Sequence, residues 1–114
     1  LLAGDPSSYS GQWNNRGNGD TGNLTVRAIS MDDKTWNMKF IGDLEEKHFE
    51  YEILMKATED KEEKKGKDRL KLEGRTTVAG DEYTLSTYME GNTFYGKFTS
   101  SGGNGDFRLS RRSE

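Results

Sequence analysis

The sequence predicts an all-β fold, a single eight-stranded antiparallel up-and-down meander barrel. Three observations carry this expectation. Apolar residues alternate with polar ones along most of the chain, the period of a half-buried strand. The alternating runs are separated by short connections rich in Gly, Asn and Asp, which tolerate positive φ. No ten-residue stretch shows the spacing of an amphipathic helix.

The strands read off in order. Tyr9, Gly11 and Trp13 share one face of the first, and Leu24, Val26 and Ala28 one face of the second. Trp36, Met38 and Phe40 mark the third. Segment 49–57 alternates most regularly, with Phe49, Tyr51, Ile53, Met55 and Ala57 against Glu50, Glu52, Leu54 and Lys56. Leu70, Leu72 and Gly74 follow, then Tyr83, Leu85, Thr87 and Met89, then Phe94, Gly96 and Phe98. Phe107, Leu109 and Arg111 form the last. Met31-Asp32-Asp33-Lys34, Ala79-Gly80-Asp81 and Glu90-Gly91-Asn92 read as tight hairpin turns. The mixed-charge stretch from Thr58 to Lys67 reads as a solvated loop. Hairpin-linked strands with one apolar face close into a barrel or pack as a two-sheet sandwich. Sandwiches usually need long crossovers, which are missing here, so the barrel is favoured. Inward-parity glycines (Gly11, Gly74, Gly96) suit strands that bend to close. The barrel is expected over residues 9–112, with 1–8 as an N-terminal extension.

Composition narrows the function classes. The 114 residues suffice for one domain, and with 30% apolar and 32% charged residues nearly every apolar side chain is needed inside. The net charge of −3 is spread between both signs, without the basic stripe that nucleic-acid binding requires, so no nucleic-acid partner is expected. No run reaches the ~18 apolar residues of a membrane-spanning helix. There is no cysteine, which removes disulfides and thiolate metal sites. The opening Leu1-Leu2-Ala3-Gly4 lacks methionine and reads equally as the small-residue end of a secretion signal or as a cut within a longer chain; export to a periplasmic or extracellular compartment is the expectation.

The segment Gly11-Gln12-Trp13-Asn14-Asn15-Arg16-Gly17-Asn18 resembles the first strand of the calycin barrels (lipocalins, fatty-acid-binding proteins and avidins). It looks most like the avidins, whose first strand carries Gly-x-Trp-x-Asn. The resemblance implies that Trp13 plugs the barrel, that an arginine near the end of the last strand covers it, and that Asn15 faces a ligand's polar head. Arg111 has the inward parity for that cover. Trp36 is the only other tryptophan, fewer than the avidins place around their ligand, so biotin is not implied. The lipocalins' terminal helix is absent too.

The residues that carry chemistry are few. The one histidine, His48, reads as a solvated strand-end residue, and no Gly-x-Ser-x-Gly elbow exists. Carboxylate pairs suited to a hydrolase arise by chance among twenty Asp and Glu. Tyr88 and Tyr95 share the outward parity of one hairpin and read as a cross-strand pair. Asn23-Leu24-Thr25 is a formal glycosylation sequon, without weight inside a strand. Gly-Asn-Gly-Asp occurs twice, at Gly17–Asp20 and Gly103–Asp106. In a closed meander the first and seventh connections share an end, which brings Asn15, Asn18 and Asp20 beside Asn104 and Asp106. Asp43, Glu45, Glu46, Asp81 and Glu82 belong to the same end. Turn formation explains the repeats most simply; a polar ligand such as a sugar or peptide, or Ca²⁺ held by hard oxygens, are the alternatives. No cofactor is expected.

An eight-stranded barrel is just wide enough to be filled by side chains or to hold one small ligand. With so many inward aromatics, a packed interior is expected. The expected function is a non-enzymatic binding or interaction module, its recognition confined to the polar loop mouth, with an unknown small polar ligand or a protein as partner. A small calycin-type protease inhibitor and a carboxylate-based hydrolase are the rival readings.

Overall fold

The computed structural model describes residues 7–44, 46–58, 69–78, 80–101 and 103–112. Eight strands follow in sequence: β1 (Ser7–Asn15), β2 (Thr21–Ser30), β3 (Thr35–Leu44), β4 (Lys47–Ala57), β5 (Arg69–Val78), β6 (Asp81–Glu90), β7 (Thr93–Ser100) and β8 (Gly103–Arg111). They form a closed barrel in chain order, and every neighbouring pair is antiparallel. Closure is made by β1 and β8, in register from Tyr9↔Arg111 to Asn15↔Gly105. That direct ladder decides for the barrel over the two-sheet sandwich. β1 starts at Ser7, two residues ahead of Tyr9. The charged connection after β4 lies outside the described residues except for Thr58.

Local chemistry explains the turns. Gly80 and Gly91 take φ of 86° and 58°, which costs a glycine nothing and any other residue strain. In the β2–β3 turn the Met31 N–H donates to the Thr35 carbonyl at 2.8 Å, and the Lys34 N–H donates to Asp32 Oδ1 at 2.8 Å. That backbone N–H holds the Asp32 carboxyl below the ordinary carboxylate range.

The barrel has two ends. One, the loop end, carries the β1–β2, β3–β4, β5–β6 and β7–β8 turns; the start of β1, the end of β8 and the β2–β3 and β6–β7 turns lie opposite. Inward side chains fill the middle. Phe94 is fully buried, its ring 5.7 Å from Tyr9, 5.4 Å from Phe107 and 6.4 Å from Phe40. The buried Thr87 donates its hydroxyl to the Leu72 carbonyl at 2.9 Å, and no buried side-chain N or O among the described residues lacks a partner.

Three further glycines, Gly22, Gly42 and Gly105, do more than permit bending. Each makes room for a large neighbour: a Cβ on Gly22 would sit 2.6 Å from Trp13 Nε1, one on Gly42 2.5 Å from the Phe49 ring, and one on Gly105 would overlap the Phe98 ring. Register puts each of these glycines directly opposite its aromatic: Trp13↔Gly22, Gly42↔Phe49 and Phe98↔Gly105. Large and absent side chains therefore interlock around the wall.

One ladder differs from the others. Seven neighbouring pairs run in register for seven to ten residues, whereas β4 and β5 pair only at Lys56↔Glu73 and Ala57↔Leu72. The divergence begins at Gly74, where a Cβ would overlap Met55 Sδ and lie 3.1 Å from the Leu54 carbonyl. Glycine inside a strand commonly marks such a bend.

Candidate functional site

The loop end gathers the residues singled out in the sequence. Arg16 N–H donates to the Asn104 carbonyl at 2.9 Å, so the two Gly-Asn-Gly-Asp segments do lie side by side. Their settings differ: the first spans a turn and opens into β2, with Gly19 at φ 79°, whereas the second is part of β8 from Gly103 onward and not a loop. Asp43 likewise belongs to β3, opposite His48.

The polar atoms here are largely committed to one another. Asn15 Oδ1 accepts the backbone N–H groups of Gly17 (2.8 Å) and Asn18 (3.3 Å), and Asn18 Oδ1 accepts that of Asp20 at 2.9 Å. These are Asx turns, in which a short side chain replaces a backbone acceptor. Asp106 accepts from Arg16 Nε at 2.6 Å and also from its terminal nitrogen, in a forked ion pair joining the β1–β2 turn to β8. Asn14 Nδ2 adds a contact to Asp106 Oδ1 at 3.5 Å. The motif pair thus builds a turn and fastens the β1–β8 closure. An arginine sits on Asp106, and no group of three or more His, Cys, Asp or Glu that could hold a metal ion occurs among the described residues.

Trp13 is buried, as its place in the first-strand motif implied, and its Nε1–H donates to the Asp43 carbonyl at 3.1 Å. Arg111 does not cover it. Arg111 stands opposite Tyr9, four residues along β8 from Phe107, which is the partner of Trp13, and it is exposed at the far rim. The strands rise ~3.3 Å per residue, so the register separates the two by more than ~10 Å.

Four aromatics at the loop end are only partly buried: Phe49 and Tyr51, stacked at 5.9 Å on β4, and Tyr83 with Phe98, 6.2 Å apart on β6 and β7. Phe49 and Tyr51 stand on β4 where it parts from β5, and Tyr83 stands on β6 opposite Thr76 of β5. Around them stand Asp43, Glu46, Asp81 and Glu82, all exposed. His48 Nδ1 lies 3.4 Å from Asp43 Oδ1 with both side chains in solvent, and Ser101 Oγ donates to Asp81 Oδ1 at 3.5 Å. Beyond the rim, Lys39 pairs with Glu50 at 2.9 Å, which raises the lysine and lowers the glutamate from their ordinary values.

On the outer wall Tyr88 and Tyr95 stack at 5.4 Å, as expected of a cross-strand pair. Arg69 lies 4.1 Å from the Tyr88 ring centre and Arg108 5.7 Å from that of Tyr95. The rings face each other and the cations rather than solvent, so this row laces β5 to β8.

The partly buried aromatics beside the β4–β5 divergence were not among the residues the sequence singled out. Their alternation is that of any inward face, and only the short ladder distinguishes them. Compared with protein-family models, curated proteins and solved structures, the chain gives no significant match, so its likeness to the calycins rests on the first-strand motif and the barrel alone.

Proposed function

We propose that this domain is a non-enzymatic interaction module that engages a protein partner through the loop end of its barrel. The observation carrying this reading is the contrast within that end. The Gly-Asn-Gly-Asp segments, with Asn15, Asn18 and Asp106, are bonded internally, whereas Phe49, Tyr51, Tyr83 and Phe98 remain partly exposed inside a rim of carboxylates. Aromatics with a polar surround are the usual anchors of a protein interface. The filled middle of the barrel supports a scaffold role. The only His–carboxylate contact among the described residues, His48 with Asp43, is exposed and brings no nucleophile, which supports the non-enzymatic reading.

The test is capture from the native source with immobilised domain, followed by mass spectrometry, in parallel with a charge-reversed form (Asp43→Lys, Glu46→Lys, Glu82→Lys). A protein retained by the wild type and lost with the reversed rim supports the reading. Retention unaffected by the reversal overturns it, as does a small molecule recovered stoichiometrically from the barrel.

A further inference from the structure

Deepening that reading, we propose that the β4–β5 seam takes up an extended, alternately basic and apolar segment of the partner protein as an added strand on the free edge of β4. The inference rests on the ladder that stops. The Ala57 N–H donates across to Lys34 and the Thr58 N–H donates to Lys71, so even-numbered residues of β4 turn their backbone groups toward β5. The same alternation turns Lys71, Glu73, Arg75 and Thr77 of β5 toward β4. Continuing the register of Lys56↔Glu73 would set Leu54 against Arg75 and Glu52 against Thr77, yet neither pair forms. Below Leu54, whose carbonyl still approaches Gly74, the N–H and C=O groups of His48, Glu50 and Glu52 face the seam with no described strand bonded to them.

An unpaired edge of this kind is a template for another strand, and natural proteins normally blunt it. Here it is not blunted by proline or a bulge. The two faces of the seam say what the added strand must carry, because its side chains alternate between them. Inward positions meet the partly buried Phe49, Tyr51 and Tyr83. Outward positions meet Glu50 and Glu52, both exposed, and Leu54, which is 52% exposed. The nearest cation on the opposite lip, Arg75, is answered by Glu82 at 3.9 Å. On the near lip Lys39 answers Glu50 at 2.9 Å and Glu52 accepts from Asn37 Nδ2 at 3.2 Å. The carboxylates thus outnumber the cations by one, and the outer face is negative at Glu52, above aromatic surface inside, complementary to a basic residue alternating with apolar ones.

The probe is a short fluorescein-labelled peptide alternating lysine and valine, followed by fluorescence anisotropy and by amide hydrogen exchange of the intact domain. Saturable binding is expected, with new protection at Glu50 and Glu52. The same peptide N-methylated at alternate amides keeps its charge and side chains but cannot complete the ladder, and it should bind about tenfold or more weakly. Glu52→Pro removes a seam-facing donor together with one outer carboxylate, and should weaken binding more than Glu52→Gln, which removes the charge alone, while circular dichroism stays unchanged. Should that variant unfold, Glu50→Gln with Glu52→Gln is expected to lower affinity and flatten its salt dependence. Equal binding of the methylated peptide, protection elsewhere, no saturable binding, or displacement of the peptide by self-association of the domain each overturns strand addition. If the peptide fails while rim-dependent capture of a protein persists, the interaction reading stands and only this inference falls. Loss of rim dependence removes the reading itself.

Discussion

At the residue scale, the barrel is held by pairs in which one member is large and the other has no side chain. Trp13 and Gly22 are the clearest case. The indole occupies the space a Cβ on Gly22 would need, and its N–H satisfies the Asp43 carbonyl across β2. Three substitutions separate the contributions. Trp13→Ala should cost about 3–5 kcal/mol, as loss of a buried aromatic does. Trp13→Phe keeps most of the packing but removes the donor, and should cost about 1–3 kcal/mol if the Asp43 carbonyl is left without a partner. Gly22→Ala forces a methyl against the indole and the Asp43 carbonyl, and should cost about 1–3 kcal/mol by overpacking. Chemical denaturation of the three variants reads these values, and a loss for Trp13→Ala below ~1 kcal/mol would place the ring at the surface. The parity of Trp13 was legible in the sequence, whereas Gly22, Gly42 and Gly105 were not singled out there as inward positions. Their mutual fit was not legible either, because which glycine faces which ring depends on register between strands. The same limit explains Arg111: its inward parity was correct to count, but its register sets it opposite Tyr9 and at the rim.

The Lys39–Glu50 pair gives a second test at this scale. The Glu50 carboxyl is lowered by the hydrogen bond and charge of Lys39. A lowered carboxylate contributes stability that is present above its unfolded value and lost as pH falls through the folded one. The lysine, raised by Glu50, contributes below its unfolded value and loses that contribution as pH rises through the folded one. Both groups are exposed, so the effect on stability is slight and salt-sensitive. Carboxyl-detected NMR titration should find Glu50 titrating below the ordinary glutamate range, and Lys39→Ala should return it to that range. An unchanged Glu50 in that variant would contradict the pairing.

At the scale of elements, the strands are what the alternation predicted, and several run longer than the apolar pattern alone. β3 continues through Asp43 and β8 begins at Gly103, in segments that read as loop because they carry Asp, Asn and Gly. Pairing with β4 and β1 overrides those residues' weak strand preference. The Gly-Asn-Gly-Asp repeats were legible as turn chemistry at Gly17–Asp20 but not as strand at Gly103–Asp106, since the two are identical in sequence and differ only in their neighbours. The short β4–β5 ladder was not legible either, because both strands alternate as regularly as their fully paired counterparts. Gly74 was noticed as a bend, and the bend is where the ladder ends. Gly74→Val would drive a branched side chain into Met55 and Ile53, and is expected to cost several kcal/mol, at least about 2, from overpacking. Thermal denaturation measures that loss; a neutral effect would mean that β5 can move away from β4 freely at this point.

At the scale of the whole molecule, short antiparallel hairpins led directly to a closed meander, because each strand pairs with the next and the first with the last. The interior is filled at its middle by Phe94, Tyr9, Phe40 and Phe107. Phe94→Ala should therefore cost about 3–5 kcal/mol. Titration of the wild type with a fatty acid or apolar dye, followed by tryptophan fluorescence, should give no saturable micromolar binding.

The most direct measurement of a barrel closed along seven ladders and divided along one is residue-resolved amide hydrogen exchange of the native domain. Slow exchange is predicted for the bonded amides of β1 and β8, where the barrel closes, and for Ala57 and Thr58 at the paired top of the seam. Fast exchange is predicted for Glu50 and Glu52 on β4 and for Thr77 on β5. Fast exchange throughout β1 and β8 would contradict closure. Protection of Glu50, Glu52 and Thr77 equal to that of the flanking strands would show β4 and β5 zipped along their length, and would remove the seam on which the binding proposal depends.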